Sequence, residues 1–91
     1  MNLRRLAQGR QCQIRLPGVC NGNPETTVLA HFRMGGVSGL GMKSPDVIAA
    51  WACSACHSVV DSYKDDATQL SFARGVFRTQ AALAKEGVLQ W

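Results

Sequence analysis

Apolar and polar residues alternate over residues 11–16, with Cys12 and Ile14 on one side and Gln11, Gln13 and Arg15 on the other, which predicts a short strand. Residues 26–32 are rich in β-branched and aromatic side chains and predict the main strand. On it Val28, Ala30 and Phe32 share one face, and Leu29, His31 and Arg33 the other. Residues 46–52 predict a second strand, although their alanines also allow a short helix. A glycine-rich loop, residues 34–45, separates the two. Helical spacing takes over further on: Leu70, Ala73, Phe77, Ala81 and Ala84 predict the buried stripe of a helix over about 66–86. Asp66 is its expected cap, with Gln69 reaching back, and Gly87 its expected end. Gly75 inside it costs up to about 1 kcal/mol relative to alanine, and a close contact would supply the reason. A helical turn near Leu3 closing at Gly9, and a tail from Val88 that packs back onto the core, complete the pattern.

Strand, loop, strand, CxxC segment and helix make an α+β fold: a ββα core over about 26–64 with an added C-terminal helix, in one domain spanning 1–91. A chain of 91 residues buries little more than about 60% of its unfolded surface, so a metal staple adds what the core lacks.

The net charge of +4 favours a polyanionic partner, with Arg4, Arg5, Arg10 and Arg15 crowding the start. Arg74 and Arg78 stand one helical turn apart, placed to follow a phosphate backbone together. No apolar run approaches the roughly 20 residues that span a bilayer. The start carries no long apolar segment either, so no export is expected. A cytoplasmic, reducing setting follows, where cysteines are more often ligands than disulfides.

The four cysteines fall as Cys12-x7-Cys20 and Cys53-x2-Cys56. Two pairs of thiolates suit one closed, tetrahedral zinc site of structural kind. A redox pair at Cys53 and Cys56, or plain buried thiols, are the alternatives; a redox motif would sit in a β-α-β unit, which the pattern lacks. His57 directly follows the CxxC segment, and Asp61 lies one helical turn on, on the same face. That pair can hold a second, reactive cation. His31, on the strand beside this helix, is placed to share one cleft with His57, where a neutral imidazole can take a proton from water.

The order His31, Cys53-x2-Cys56-His57-x3-Asp61 resembles the HNH nucleases, whose fold is ββα-metal. The run Arg10-Gln-Cys-Gln-Ile-Arg-Leu-Pro-Gly-Val-Cys-Asn-Gly-Asn-Pro-Glu-Thr26, with Val28-Leu-Ala-His31 and Cys53-Ser-Ala-Cys-His57, is similar to the small prophage-borne candidate nucleases of the YbcO type. The similarity runs from Leu3 to Asp61 and weakens in the C-terminal helix. It implies a metal-dependent endonuclease acting on phosphodiester bonds, with DNA as the first expectation. It implies His31 as general base, and His57 with Asp61 as ligands of a catalytic divalent ion (magnesium, manganese, nickel or zinc). Cys12, Cys20, Cys53 and Cys56 would hold structural zinc. Arg4, Arg5, Arg10, Arg15, Arg33, Lys43, Arg74 and Arg78 are the candidate nucleic-acid contacts. Two positions depart from the HNH pattern. Ala30 stands where most members carry a metal ligand, and Ile48 where the asparagine that orients the base is expected; Asp46 or Ser44 are the candidates to replace it. Ala30 favours the other reading, a zinc-stapled nucleic-acid-binding or protein-interaction module without hydrolytic activity. The oligomeric state stays open.

Overall fold

The computed structural model describes residues 2–36 and 45–89, so Lys43 and Ser44 lie outside the described residues. Its elements run α1 (Leu3–Leu6), a 3-10 turn (Pro24–Thr26), β1 (Val28–His31), β2 (Ala49–Ala52), α2 (Ser54–Ser62) and α3 (Asp66–Lys85). The architecture is a small α+β one: a two-stranded sheet with helices packed around it.

β1 and β2 pair antiparallel, Val28 with Ala52 through His31 with Ala49. A two-stranded sheet is marginal by itself. Here both faces are covered, which is why all four residues of β2 are buried. Ala30, Ala50 and Ala52 face a cluster with Cys12, Ile14, Cys53, Cys56, Val60, Phe72 and Val76. Leu29, Ala49 and Trp51 face a second cluster with Ala7 and Leu83, on which Leu3, Leu6, Val88 and Leu89 pack. The tail therefore folds back as far as residue 89, as its sequence predicts. Alanines at 49, 50 and 52 serve strand rather than helix because only small side chains let both layers approach the sheet. Among the described residues no helix is long and apolar enough to cross a membrane.

Residues 11–16 keep the predicted alternation, with Cys12, Ile14 and Leu16 buried, yet they form no strand. Arg15 takes a left-handed backbone (φ 56°), which breaks the extended path. A single ladder-like bond survives, from Gln13 N–H to the Trp51 carbonyl at 2.7 Å.

α3 departs from its predicted face and cap. The stripe Leu70, Ala73, Phe77, Ala81, Ala84 is not the buried one: Phe77 is 67% exposed and Leu70 53%. Phe72, Gly75, Val76, Thr79 and Leu83 are buried instead. Two details select that face. A Cβ on Gly75 would lie 2.9 Å from Ile14 Cγ1 and 3.1 Å from the Gln13 carbonyl oxygen, so only glycine lets residues 13–14 rest on the helix. Thr79 Oγ1 donates to the Gly75 carbonyl (2.8 Å) and accepts from Trp51 N–H (2.9 Å), so a buried hydroxyl ties α3 to β2. The cap is Asp65, one residue early, whose carboxylate accepts from Thr68 N–H at 3.1 Å. Gln69 reaches the Tyr63 carbonyl and not the cap. Gly87 ends the helix as expected, with φ 78°.

Candidate metal centre and adjoining cleft

The four cysteine sulfurs, from three separate stretches of chain, lie within 4.8 Å of one another. Cys53 Sγ and Cys20 Sγ are 3.9 Å apart. Tetrahedral thiolates about 2.3 Å from a zinc ion stand about 3.8 Å apart, whereas a disulfide needs about 2.05 Å. The sulfurs thus form one quartet, not two redox pairs, and all four are free thiols. The donor set fits a metal ion of tetrahedral preference. Local structure aims it: residues 16–20 turn back through bonds from Val19 N–H and Cys20 N–H to the Leu16 carbonyl. Cys53 is the N-cap of α2, its sulfur accepting from Cys56 N–H at 3.4 Å.

The thiols differ in readiness to ionise. Burial pushes Cys56 and Cys20 upward, against backbone N–H bonds near Leu16 and Gly22 respectively. Burial acts on Cys53 in the same sense, but the N–H groups of Cys56 and Asn21 outweigh it and bring Cys53 down to about 7. A metal ion that takes all four as thiolates must therefore displace protons.

On the outer side of α2 the chain opens a cleft of about 390 Å³ lined by Arg4, Gln8, Thr27, Val28, Leu29, His31, Arg33, His57 and Asp61. His31 and His57 thus meet in one cavity, as their places on strand and helix predict. His57 Nε2 lies 3.1 Å from Asp61 Oδ2, both partly exposed. His31 is more enclosed, its side chain 15% exposed, and its Nε2 lies 2.7 Å from Asp46 Oδ1. Arg4 Nε approaches the same oxygen at 3.9 Å. Ala30 is buried on the cysteine side of β1 and takes no part in the cleft.

The predicted basic residues divide. Arg4 and Arg33 line the cleft, while Arg5 and Arg74 lie exposed elsewhere. Three others are engaged by the fold. Arg10 pairs with Glu86 through Nη2 to Oε1 at 2.7 Å, with its Cζ 4.7 Å from the Trp51 ring. That pairing holds the Arg10 guanidinium above its usual range. Arg15 donates to the Cys12 carbonyl and Gln13 Oε1, and Arg78 to the Gln13 carbonyl at 2.7 Å. Sequence reasoning missed Lys64, which with Arg33 and Asp61 lines a neighbouring hollow of about 420 Å³. Only its position just past α2 pointed there. Gln8, at the cleft wall, gave no signal.

A four-thiol centre capable of holding a metal, set inside a two-stranded α+β core, defines a small metal-site domain. The chain belongs to the family described as "Putative nuclease YbcO", whose model matches residues 1–88. It is 50% identical over 94 residues to "Putative nuclease YbcO" of Escherichia coli (strain K12), covering 98% of this chain and 97% of that protein. The same figures hold for "Putative nuclease ybcO" of Enterobacteria phage 82. A solved structure of a "putative bacteriophage protein" from Escherichia coli str. K-12 substr. MG1655 is similar with TM-score 0.77 and 47% identity. It covers 94% of this chain and 100% of that one.

Proposed function

We propose that this chain is a metal-dependent endonuclease of HNH type that hydrolyses phosphodiester bonds in DNA, works in the cytoplasm, and is stapled by one zinc at Cys12, Cys20, Cys53 and Cys56. The observation that carries the reading is the meeting of His31, His57 and Asp61 in one cleft walled by Arg4 and Arg33. The nuclease description of its relatives agrees with it. β1, β2 and α2 follow one another in the order that an HNH domain uses. The His57–Asp61 separation of 3.1 Å suits two neighbouring ligands of a small divalent ion, since donors about 2.1 Å from a metal at right angles stand about 3.0 Å apart. Magnesium, manganese, nickel or zinc bound there supplies Lewis-acid stabilisation of charge on the scissile phosphate.

The side chains have distinct tasks in this reading. His31 accepts the proton of the attacking water. Arg4 and Arg33 attract and align the phosphates on either side. His57 and Asp61 would hold the cation as its two donors among the described residues, and water and phosphate oxygens would complete its shell. A cation so held exchanges readily. The same shortage of ligands, with Ala30 turned into the core, is what favours the second reading, a nucleic-acid- or protein-binding module without hydrolysis.

Cleavage of plasmid DNA under each of the four cations decides between them. The parent is expected to nick, and His31→Ala to lose about 10²–10⁴-fold in rate while keeping its zinc and DNA affinity. His57→Ala and Asp61→Ala are expected to require more added cation or to lose activity. A parent that nicks under no cation, or three variants as fast as the parent, establishes the binding module.

A further inference from the structure

His31 has one close polar partner among the described residues, and the fold goes to some length to place it. We propose that Asp46 is the positioning residue of the cleft: its carboxylate fixes the tautomer and the orientation of His31. This rests on the reading of His31 as proton acceptor.

Asp46 sits in a turn of residues 45–48 closed by Ile48 N–H to the Pro45 carbonyl at 2.9 Å. The turn is held by two hydrogen bonds, with Arg4 close by. Its last residue accepts from Phe32 N–H at 2.9 Å, which continues the β1–β2 ladder past His31. Gln80 Nε2 of α3 donates to the Val47 carbonyl at 2.6 Å. Arg4 of α1 reaches Asp46 Oδ1 itself. The carboxylate carried by this turn meets the imidazole at 2.7 Å, at the short end of N–H···O bonds.

The chemistry follows from what a carboxylate can do. An ionised carboxylate accepts hydrogen bonds and donates none, so it selects the tautomer with the proton on Nε2 and leaves the lone pair on Nδ1. Once His31 takes a proton from water, the ring is an imidazolium beside an anion, which lowers the cost of that step. Arg4 bears on the same carboxylate oxygen, and Arg33, His57 and Asp61 are the other charged or titratable groups of the cleft. An amide at this position can accept or donate, so it would neither fix the tautomer nor offset the ring's charge. The absence of asparagine at position 48 is therefore met by a different residue with an added electrostatic effect.

The test uses the full-length, zinc-loaded protein with 15N-labelled histidine, assigned with His57→Gln, and compares the parent, Asp46→Ala and Asp46→Asn. The parent should show His31 protonated on Nε2, and Asp46→Ala a mixture of both tautomers. With plasmid DNA as substrate, kcat should fall about tenfold or more in Asp46→Ala, within the range a general base contributes, with KM unchanged. Asp46→Asn, whose amide can turn its NH2 toward the ring, should also fail to hold the Nε2-protonated tautomer and should not recover kcat. A parent with its proton on Nδ1, or an Asp46→Ala protein with the parental tautomer, overturns the proposal even where kcat falls, because only a general disturbance would then remain. Should the parent cleave no DNA, the catalytic reading fails, and the nitrogen shifts still decide whether Asp46 governs His31.

Discussion

Cys56 and His57 are consecutive residues of α2, and on the proposed reading they belong to opposite kinds of site. Cys56 is fully buried and completes a set of four protein donors; His57 is partly exposed and shares its cleft with one carboxylate within reach. A site whose ligands all come from the chain is closed and contributes to folding, whereas one with open positions can bind and release a substrate. A single step along a helix, about 100° of rotation, separates them. On that reading stability and chemistry use the same helix without sharing ligands.

The largest expected effect tests the closed half. The purified protein should carry one firmly held zinc, and stripping it with a strong chelator, or Cys53→Ser, should unfold the domain, as the apparent binding energy of such sites is on the order of 10 kcal/mol. Weak chelation should stop nicking first and leave circular dichroism unchanged. A folded protein free of zinc by elemental analysis would erase the distinction between the two sites.

Gly75→Ala sharpens the same contrast from the side of α3. The added methyl meets Ile14 and Gln13, beside Cys12, and overpacking of this kind costs about 1–3 kcal/mol, against a helix-propensity gain of up to about 1. Urea unfolding should show a lower midpoint, and activity per folded molecule should hold. A midpoint at or above the parent's would mean that residues 13–14 yield freely.

The cleft half is probed by salt. Each phosphate contact removed should reduce the slope of log affinity against log salt by about 1. Arg4→Ala/Arg5→Ala should show the reduction, since Arg4 lines the cleft. Arg74→Ala/Arg78→Ala should show it only if nucleic acid also runs along α3; an unchanged slope there confines the contact to the cleft.

The smallest effect is in the Arg10–Glu86 pair. Arg10 holds the Glu86 carboxyl below its ordinary value of 4.5. A carboxyl depressed in the folded state adds stability that is present above the unfolded value and lost as pH falls through the folded one. Glu86→Gln should therefore lower the urea midpoint slightly at neutral pH and not at all in strong acid. Both side chains are partly exposed, so the shift should shrink with salt.

Much of this was legible in the chain. The CxxC spacing, the strands β1 and β2 and the helical position of Asp61 after His57 are local signals that appear within their predicted ranges, whereas the strand expected over residues 11–16 does not form. The face of α3 was not legible. Leu70 and Phe77 with three alanines satisfy a helical period as well as Phe72, Val76 and Leu83 do, so hydrophobicity cannot choose between two apolar stripes. Gly75 and Thr79 choose, and they score as poor core residues until Ile14 and Trp51 are seen against them. Adjacent acids at 65 and 66 likewise leave the cap ambiguous by one position. The cleft depended on three elements distant in sequence, α1, β1 and α2, which is why Arg4 and His31 were legible as types but not as neighbours.

The contact of Gly75 with residues 13–14 also bears on the order in which the protein can assemble during synthesis. All four thiols have been translated by residue 56, yet the wall against which residues 13–14 rest, and the hydroxyl that secures β2, arrive only with residues 75–79. A nascent chain halted before α3 has every metal donor but lacks the helix surface on which residues 13–14 rest. We predict that zinc is captured in earnest only once α3 has left the ribosome, a point that arrested chains of graded length, assayed for protection of their thiols from alkylation, would reveal.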